Sequence, residues 1–389
     1  MHQPATDPRP RVLHLTQPVE GGVARVVADL TRAQLAAGLR VTVACPDSGL
    51  SEILRRLGAD VRHWHATRAP GPSLAGEVRR LVRLVDDVRP ALVHAHSAKA
   101  GLAGRLAVRG RIPTVFQPHA WSFEAVGGPT AALAVRWERF GARWAHRTVC
   151  VSEAERRTGL RAGVHARWAV VPNGIDAERF RPAAAGPVRA SLGTDGDPGA
   201  PLVVCVGRLC RQKGQDVLLA AWPSVARRVP GARLVLVGDG PDRERLRGPE
   251  PVLFAGAVAD PVPWYQAADL VVLPSRWEGM ALAPLEAMAC GRPVVTTDVD
   301  GARESLPPAL VPHCLVPPED PPALADAVTA LLLDPLLRES LGHQGRRHVL
   351  ATHDVRHAAE ATADVYRALL GTGIAAPAAP TEYRESIHS

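Results

Sequence analysis

Short runs of apolar, largely β-branched residues alternate with longer stretches of helical period, and the alternation runs twice along the chain. In the first half, Arg11–Thr16, Val41–Pro46, Val61–His65, Ala91–His96, Thr114–His119 and Thr148–Ser152 read as strands. Helical stretches at Gly22–Ala37, Leu74–Val88, Ala98–Val108 and Thr130–Ala145 lie between them. The apolar runs are nearly continuous, as expected where both faces of a parallel sheet are covered. Such a pattern predicts a doubly wound α/β sheet.

Between Val171 and Pro201 the pattern breaks into alternating prolines and glycines, which marks an interdomain connection. It then restarts. Leu202–Val206, Leu234–Val237, Val252–Ala255, Leu270–Pro274, Pro293–Thr297 and His313–Val316 read as strands. Gln215–Val229, Val262–Ala268, Pro284–Ala289, Pro322–Leu333 and Leu336–Ala351 read as helices, with a last one at His353–Leu370. The expectation is two Rossmann-like, doubly wound parallel-sheet domains facing a central cleft. Residues 1–185 form the first and 186–352 the second. The tail 371–389 has little to bury and is expected to be disordered.

Composition narrows the class. A chain of 389 residues, 46% hydrophobic and 22% charged, has the make-up of a globular protein and the length of two domains. Six cysteines are too few for a disulfide scaffold, and none forms a C-x2-C pair. Cys45, Cys150, Cys205 and Cys314 fall in strand-like runs and Cys290 ends a helical one, so buried, reduced thiols and a cytoplasmic setting are expected. No apolar segment near Met1–Pro10 suggests a signal peptide, and no run is long enough for a membrane span. The net charge of +7 permits an anionic partner without choosing one. Of the 46 basic residues only Lys99 and Lys213 are lysines.

Ligands of open α/β sheets bind beyond the carboxyl ends of strands, so the residues there carry the chemistry. After the first strand, Gly21 and Gly22 open a helix, where a close backbone and free N–H groups suit phosphate. The motif is not G-x-G-x-x-G, which argues against a dinucleotide oxidoreductase. At the tip of the second domain's first strand, Arg208 and Lys213 suit a diphosphate whose charge grows as it leaves. After Leu270–Pro274, Glu278 and Glu286 flank the N–H groups of Gly279, Met280, Ala281 and Leu282; carboxylates there suit the vicinal hydroxyls of a sugar or ribose.

Histidines need more care. His119 ends a strand at the cleft edge and is placed to touch a transferred sugar. The H-x-H pairs His63/His65 and His94/His96 each share a strand face, but no third metal ligand is apparent, so packing is the expectation. Asp298-Val-Asp300-Gly301 reads as a strand-to-helix turn with Asp300 a candidate cap, rather than as a D-x-D metal motif.

Together these residues resemble the retaining, nucleotide-sugar-dependent glycosyltransferases of GT-B fold, family 4 or group 1. The signatures are V-G-R-L-C-R-Q-K-G from Val206, V-G-D-G-P at Val237–Pro241, F-A-G-A-V at Phe254–Val258, A-D-L-V-V-L-P-S-R-W-E-G-M and E-A-M-A-C-G-R-P-V-V. V-P-N-G-I-D at Val171–Asp176 matches the family's entry to the interdomain region, and H-S-A-K-A-G-L-A-G-R-L-A at His96–Ala107 resembles its polysaccharide-building members.

The resemblance implies roles by position. Arg208 and Lys213 bind the diphosphate, Glu278 the donor-sugar hydroxyls and Glu286 the ribose. Gly22 lies against the phosphates, His119 near the transferred sugar and Val258 where the base is held. Where members often have V-G-G, this chain has Val299-Asp300-Gly301. The family's last helix crosses back onto the first domain, which fits 353–370. The implied partners are a nucleoside-diphosphate sugar and a hydroxyl acceptor, with no nucleic acid, no cofactor and no obligatory metal. The rival readings are a same-fold sugar-nucleotide 2-epimerase and a non-catalytic nucleotide-sugar-binding protein. Arg136, Arg139, Arg143 and Arg147, interleaved with Trp137, Phe140 and Trp144, make a basic face that suits either solvent or peripheral contact with an anionic membrane at its cytoplasmic side; the latter fits a lipid-linked acceptor.

Overall fold

The structure is a computed structural model that describes residues 9–184, 186–191, 200–247 and 252–371. The tail from residue 372 onward, and parts of the Pro/Gly-rich connection, lie outside the described residues.

Two all-parallel sheets carry the fold. The first contains β1 (Arg11–Thr16), β2 (Arg40–Cys45), β3 (Asp60–His63), β4 (Leu92–His96), β5 (Thr114–Gln117), β6 (Arg147–Cys150) and β7 (Trp168–Val170), in the order β3-β2-β1-β4-β5-β6-β7. The second contains β8 (Leu202–Val206), β9 (Arg233–Val237), β10 (Val252–Gly256), β11 (Leu270–Leu273), β12 (Val294–Thr297) and β13 (Leu315–Val316), in the order β10-β9-β8-β11-β12-β13. Strand order reverses between β1 and β4 and again between β8 and β11. Those two switch points face each other across the cleft, and the loops leaving them supply the site.

Strand alternation sends each residue type to its proper layer. Val12, Val41, Val43 and Leu92 pack with Ala24 and Val27 of the helix Gly21–Ala36. Their neighbours Leu13, Leu15, Val93 and Ala95 pack on the other face with Ala100, Ala103 and Ala107 of the helix Ser97–Val108. A larger core, including Val203, Leu218, Trp222, Leu234, Val271 and Leu285, fills the second domain. The long helix Pro335–Thr352 ends at His353. The chain then crosses: Ile175 N donates to His353 O at 2.8 Å and Val355 N to Ile175 O at 2.9 Å. The final helix, Val355–Leu370, buries Val365 and Tyr366 in the first domain's core.

Prolines explain four of the shifted strand ends. β2, β5 and β11 stop before Pro46, Pro118 and Pro274, and β12 starts after Pro293, because proline lacks the ladder N–H. Cys314 is buried but closes a helical turn, Val311–Cys314, instead of lying in a strand. The structure adds to the expected set the short edge strand β7, the short helices Gly186–Ser191, Ala302–Ser305 and Val311–Cys314, and two longer ones, Gly49–Leu57 and Glu153–Arg161. The last has little apolar periodicity; it is started by the Ser152 hydroxyl, which accepts from Glu155 N. All six cysteines are free, and only Cys210 is not fully buried.

Candidate active site

Residues far apart in sequence meet because β8 and β11 are neighbours. Lys213 follows β8 and Glu278 follows β11, and Lys213 Nζ lies 2.5 Å from Glu278 Oε1. That same oxygen accepts from Ser275 Oγ at 2.7 Å, and Gln212 Nε2 lies 3.4 Å from Oε2. Glu278 is therefore 7% exposed yet fully partnered. Eight residues on, inside the helix Leu282–Ala289, Glu286 accepts from the Tyr265 hydroxyl at 2.7 Å. Its other oxygen is 3.3 Å from Arg25 Nη1, contributed by the first domain.

One interdomain cleft is lined by Gly21, Gly22, His119, Arg208, Lys213, Glu278, Gly279, Met280, Ala281, Leu282 and Glu286. Val258 is not among its lining residues; it lies past β10, partly buried against the second core. The helix Gly21–Ala36 opens onto the cleft with no acidic residue in its first turn and no side-chain cap. Its first N–H groups thus remain available to an anion. Arg208 has no hydrogen-bond or ion-pair partner for its guanidinium among the described residues. Arg68, from the first domain, lines the same cleft, and its guanidinium is held below the usual arginine range, first by burial and next by the charge of Arg208. Lys213 and Arg25 are paired with Glu278 and Glu286, but neither Arg68 nor Arg208 has an ion-pair partner among the described residues, and two such guanidiniums suit an anionic ligand.

The two domains meet at the loop after Glu278. Ser152 Oγ donates to Gly279 O and Asn173 Nδ2 to Met280 O, each at 2.8 Å. A Cβ on Gly279 would lie 2.8 Å from both Glu155 Oε1 and Val151 Cγ2, so this close approach requires glycine. Glu155 itself is buried and accepts from Ala120 N at 2.6 Å and Val151 N at 2.7 Å; burial raises its carboxyl to about 7. Those bonds hold the turn at His119 and Ala120, both in the left-handed region with φ of 56° and 95°.

Some expectations change. Asp300 does not cap the following helix; its carboxylate accepts from Thr158 of the first domain at 2.5 Å, while Asp298 pairs with Arg303. The helix ends with Gly141, so Arg143 and Trp144 of the expected basic face fall on the 3-10 turn Ala142–Trp144 and Arg147 starts β6. The pair His94/His96 does gain a third imidazole, His14 of β1, in register with His94. Ring nitrogens of the three lie within 4.8 Å of one another. However, His14 Nδ1 and His96 Nε2 are hydrogen-bonded at 2.9 Å, which places a proton where a shared ion would need two lone pairs. Sequence reasoning missed Arg25, Arg68, Tyr265, Gln212 and His14. The spacing from strand ends signals Arg68 and Gln212 among them; Arg25, Tyr265 and His14 are brought to the site by neighbours fixed by the fold.

Residues 20–179 match Glycosyltransferase Family 4 and residues 200–334 match Glycosyl transferases group 1. The chain is 34% identical over 312 residues to a GDP-mannose-dependent alpha-(1-6)-phosphatidylinositol monomannoside mannosyltransferase of Mycobacterium tuberculosis, covering 75% of this chain and 78% of that protein. It is 32% identical over 314 residues to the alpha-maltose-1-phosphate synthase of the same organism, covering 71% and 78%. The crystal structure of Anabaena Alr3699/HepE in complex with UDP and glucose superposes with a TM-score of 0.80 at 24% identity, over 93% of this chain and 100% of that one, and has the same GT-B fold. The paired sheets, the cleft between them and the extent of the match to these relatives establish that the chain belongs to the family 4, group 1 glycosyltransferases, enzymes of two Rossmann-like domains.

Proposed function

We propose that this enzyme moves a sugar from a nucleoside-diphosphate sugar to a hydroxyl acceptor with retention of configuration. The observation that carries the reading is the partnerless guanidinium of Arg208 beside Lys213, facing the uncapped helix start at Gly21 and Gly22. In this reading they bind the donor diphosphate and stabilise its growing charge as the bond to the sugar breaks, so the step invokes no metal ion. Glu278 and His119 orient the sugar, and Glu286, steadied by Tyr265, holds the ribose. Val258 stays assigned to the edge of the base. The acceptor hydroxyl attacks on the face the diphosphate leaves, and the cleft excludes competing water.

For the acceptor we propose a lipid-linked compound met at an anionic membrane surface. The mannosyltransferase relative is named for a phosphatidylinositol mannoside. In this chain Leu133 and Phe140 are 66% and 43% exposed on the helix Gly128–Gly141, beside exposed Arg136 and Arg143. No helix among the described residues is long and apolar enough to cross a membrane, so contact would be peripheral. The test is a panel of nucleotide sugars scored for protection against thermal unfolding, then acceptor screening with the best donor. Donor consumption that ignores acceptor would favour epimerisation or hydrolysis. Absence of co-sedimentation with phosphatidylglycerol vesicles would remove the membrane reading, and co-sedimentation that survives Leu133→Ser with Phe140→Ser would remove this helix as the contact.

A further inference from the structure

A line of side chains, half-buried at His119 and buried beyond it, runs from the cleft into the first domain. His119 Nε2 meets His96 Nδ1 at 3.2 Å, His96 Nε2 meets His14 Nδ1 at 2.9 Å, and His14 Nε2 meets Gln34 Oε1 at 2.8 Å. Gln34 Nε2 in turn points at the Tyr366 hydroxyl, 3.3 Å away, and that hydroxyl contacts His94 Nδ1 at 2.6 Å. His14, His94, His96 and Tyr366 are wholly buried and Gln34 nearly so. Register explains the alignment: His14, Thr16, His94 and His96 sit on paired β1 and β4, and His96 pairs with Gln117 at the end of β5, two residues before His119.

Burial keeps every imidazole of this line neutral: His14 is lowered to about 4 and His119 to about 3. A neutral imidazole has one N–H and one lone pair, so a line of them has a direction. The direction is set at the inner end. Gln34 turns its carbonyl oxygen to His14, so His14 carries its proton on Nε2 and offers the Nδ1 lone pair. His96 must then donate from Nε2 and accept at Nδ1. His119 must donate from Nε2, which leaves its Nδ1 as a lone pair. No partner for that nitrogen occurs among the described residues, and His119 lines the cleft.

We propose that His14 and His96 are positioning residues that fix His119 in its Nε2–H tautomer, so that Nδ1 faces the cleft as an acceptor for a hydroxyl of the transferred sugar. The sugar contact rests on the glycosyl-transfer reading above; the tautomer does not. Tyr366 belongs to the same device. It lies on the crossing helix and does not reach the cleft; with its hydroxyl proton given to His94 Nδ1 at 2.6 Å, its oxygen is left to accept from Gln34 Nε2, which keeps that amide from turning over. A flipped amide would reverse every bond and present an N–H at His119 Nδ1 instead. The final helix thereby sets the hydrogen-bonding sense of a group in the cleft through four side chains.

Nitrogen-15 NMR of the uniformly labelled full-length protein tests this directly, with the His119 signals identified by their loss in His119→Gln. The expected spectrum shows His119 Nε2 protonated and Nδ1 bare; a protonated Nδ1 overturns the proposal. Tyr366→Phe should show both tautomers, and a single unchanged tautomer would remove Tyr366 from the device. In transfer assays His96→Leu should lower kcat up to about tenfold, the scale of one lost hydrogen bond, with affinity for the nucleoside diphosphate unchanged. His96→Asn, whose Oδ1 takes the place of Nδ1, should recover most of that loss. Equal losses in the two variants would mean a packing role, and full activity of His96→Leu would mean the tautomer serves no transfer; either sinks the proposal. A stoichiometric metal ion retained by the purified protein would displace the His14–His96 hydrogen bond and overturn it as well. If the unmodified protein transfers no sugar, the transfer reading fails while the spectrum still decides the tautomer.

Discussion

Lys213 and Glu278 neutralise each other across 2.5 Å before any ligand arrives, whereas Arg208 on the same loop has no counter-ion among the described residues. The two cations of one motif therefore stand in different states. Lys213 is held in place by the carboxylate proposed to take the sugar, so the proposed diphosphate and sugar subsites are mechanically coupled. Arg208 is free to follow the ligand.

That difference separates two substitutions. Arg208→Ala and Lys213→Ala should each lower kcat by on the order of 10²–10³, as for loss of a charge that stabilises the transition state. Only Lys213→Ala leaves Glu278 without its cation. It should also lower unfolding free energy by about 1–3 kcal/mol, while Arg208→Ala leaves stability unchanged. Calorimetric melting of both variants beside turnover measurements checks the split, and equal melting temperatures would contradict it.

Glu286 and Glu278 should be distinguishable by ligand. Glu286→Ala should weaken binding of free nucleoside diphosphate and sugar nucleotide alike, because the ribose is common to both. Tyr265→Phe should do the same more weakly, since it removes only the hydroxyl that aims Glu286. Glu278→Ala should penalise the sugar nucleotide more than the diphosphate. Titration calorimetry with the two ligands measures this, and parallel losses in all three variants would end the division of roles.

The sequence makes the second domain's site legible because its residues lie within one or two turns of strand ends. Arg208, Lys213, Glu278 and Glu286 needed only the β/α alternation to be placed. Arg25 and Tyr265 line the cleft but were invisible, because each sits inside a helix and only the fold brings it to Glu286. His14 shows the same limit. It reads as one polar residue in an apolar strand, and only the β1–β4 register brings it to His96. Glu155 was hidden in a helix with little apolar periodicity, so nothing in the sequence marked its carboxylate as the support for the His119 turn.

Stability should be greatest near pH 6.5. His14, His94, His96 and His119 are all held below the usual histidine range, chiefly by burial. The unfolded chain takes up those protons below about 6.5 and the folded chain does not, so stability is lost as pH falls from there. Glu124 and Glu155 are both raised to about 7 by burial. Their contribution is full below the unfolded carboxyl value and is lost as pH rises through about 7. Between the two carboxyl values the four histidines outweigh the two glutamates. Melting temperatures from pH 5 to 8 should therefore fall on both sides of a maximum. Glu155→Gln should flatten the alkaline limb; an unaltered limb would mean Glu155 is ionised throughout.

Gly279 should prove the most sensitive position of the interdomain contact. It lies between Glu278 and Met280, and its missing Cβ leaves room for Glu155, Val151 and the Ala120 amide of the first domain. A methyl group there meets the Ala120 nitrogen at 3.0 Å as well as the two closer atoms, and backbone on both sides limits relaxation. The cheaper response is to separate the domains, since the remaining bridges among the described residues are hydrogen bonds such as Asn173 to Met280, the Glu304 carboxylate on the Glu153 and Ala154 amides, and two ion pairs, Arg25 with Glu286 and Arg179 with Asp260. Separation draws His119 and Gly22 away from Arg208, Lys213 and Glu278. Gly279→Ala should thus lower kcat by at least about tenfold, keep the circular dichroism of both sheets and increase the radius of gyration in small-angle scattering. Donor added to the unmodified protein should leave that radius unchanged or smaller, because the added contacts from Gly22 and His119 exist only with the cleft closed. Full activity of Gly279→Ala at an unchanged radius would show that the approach of the two domains at this loop does not govern transfer.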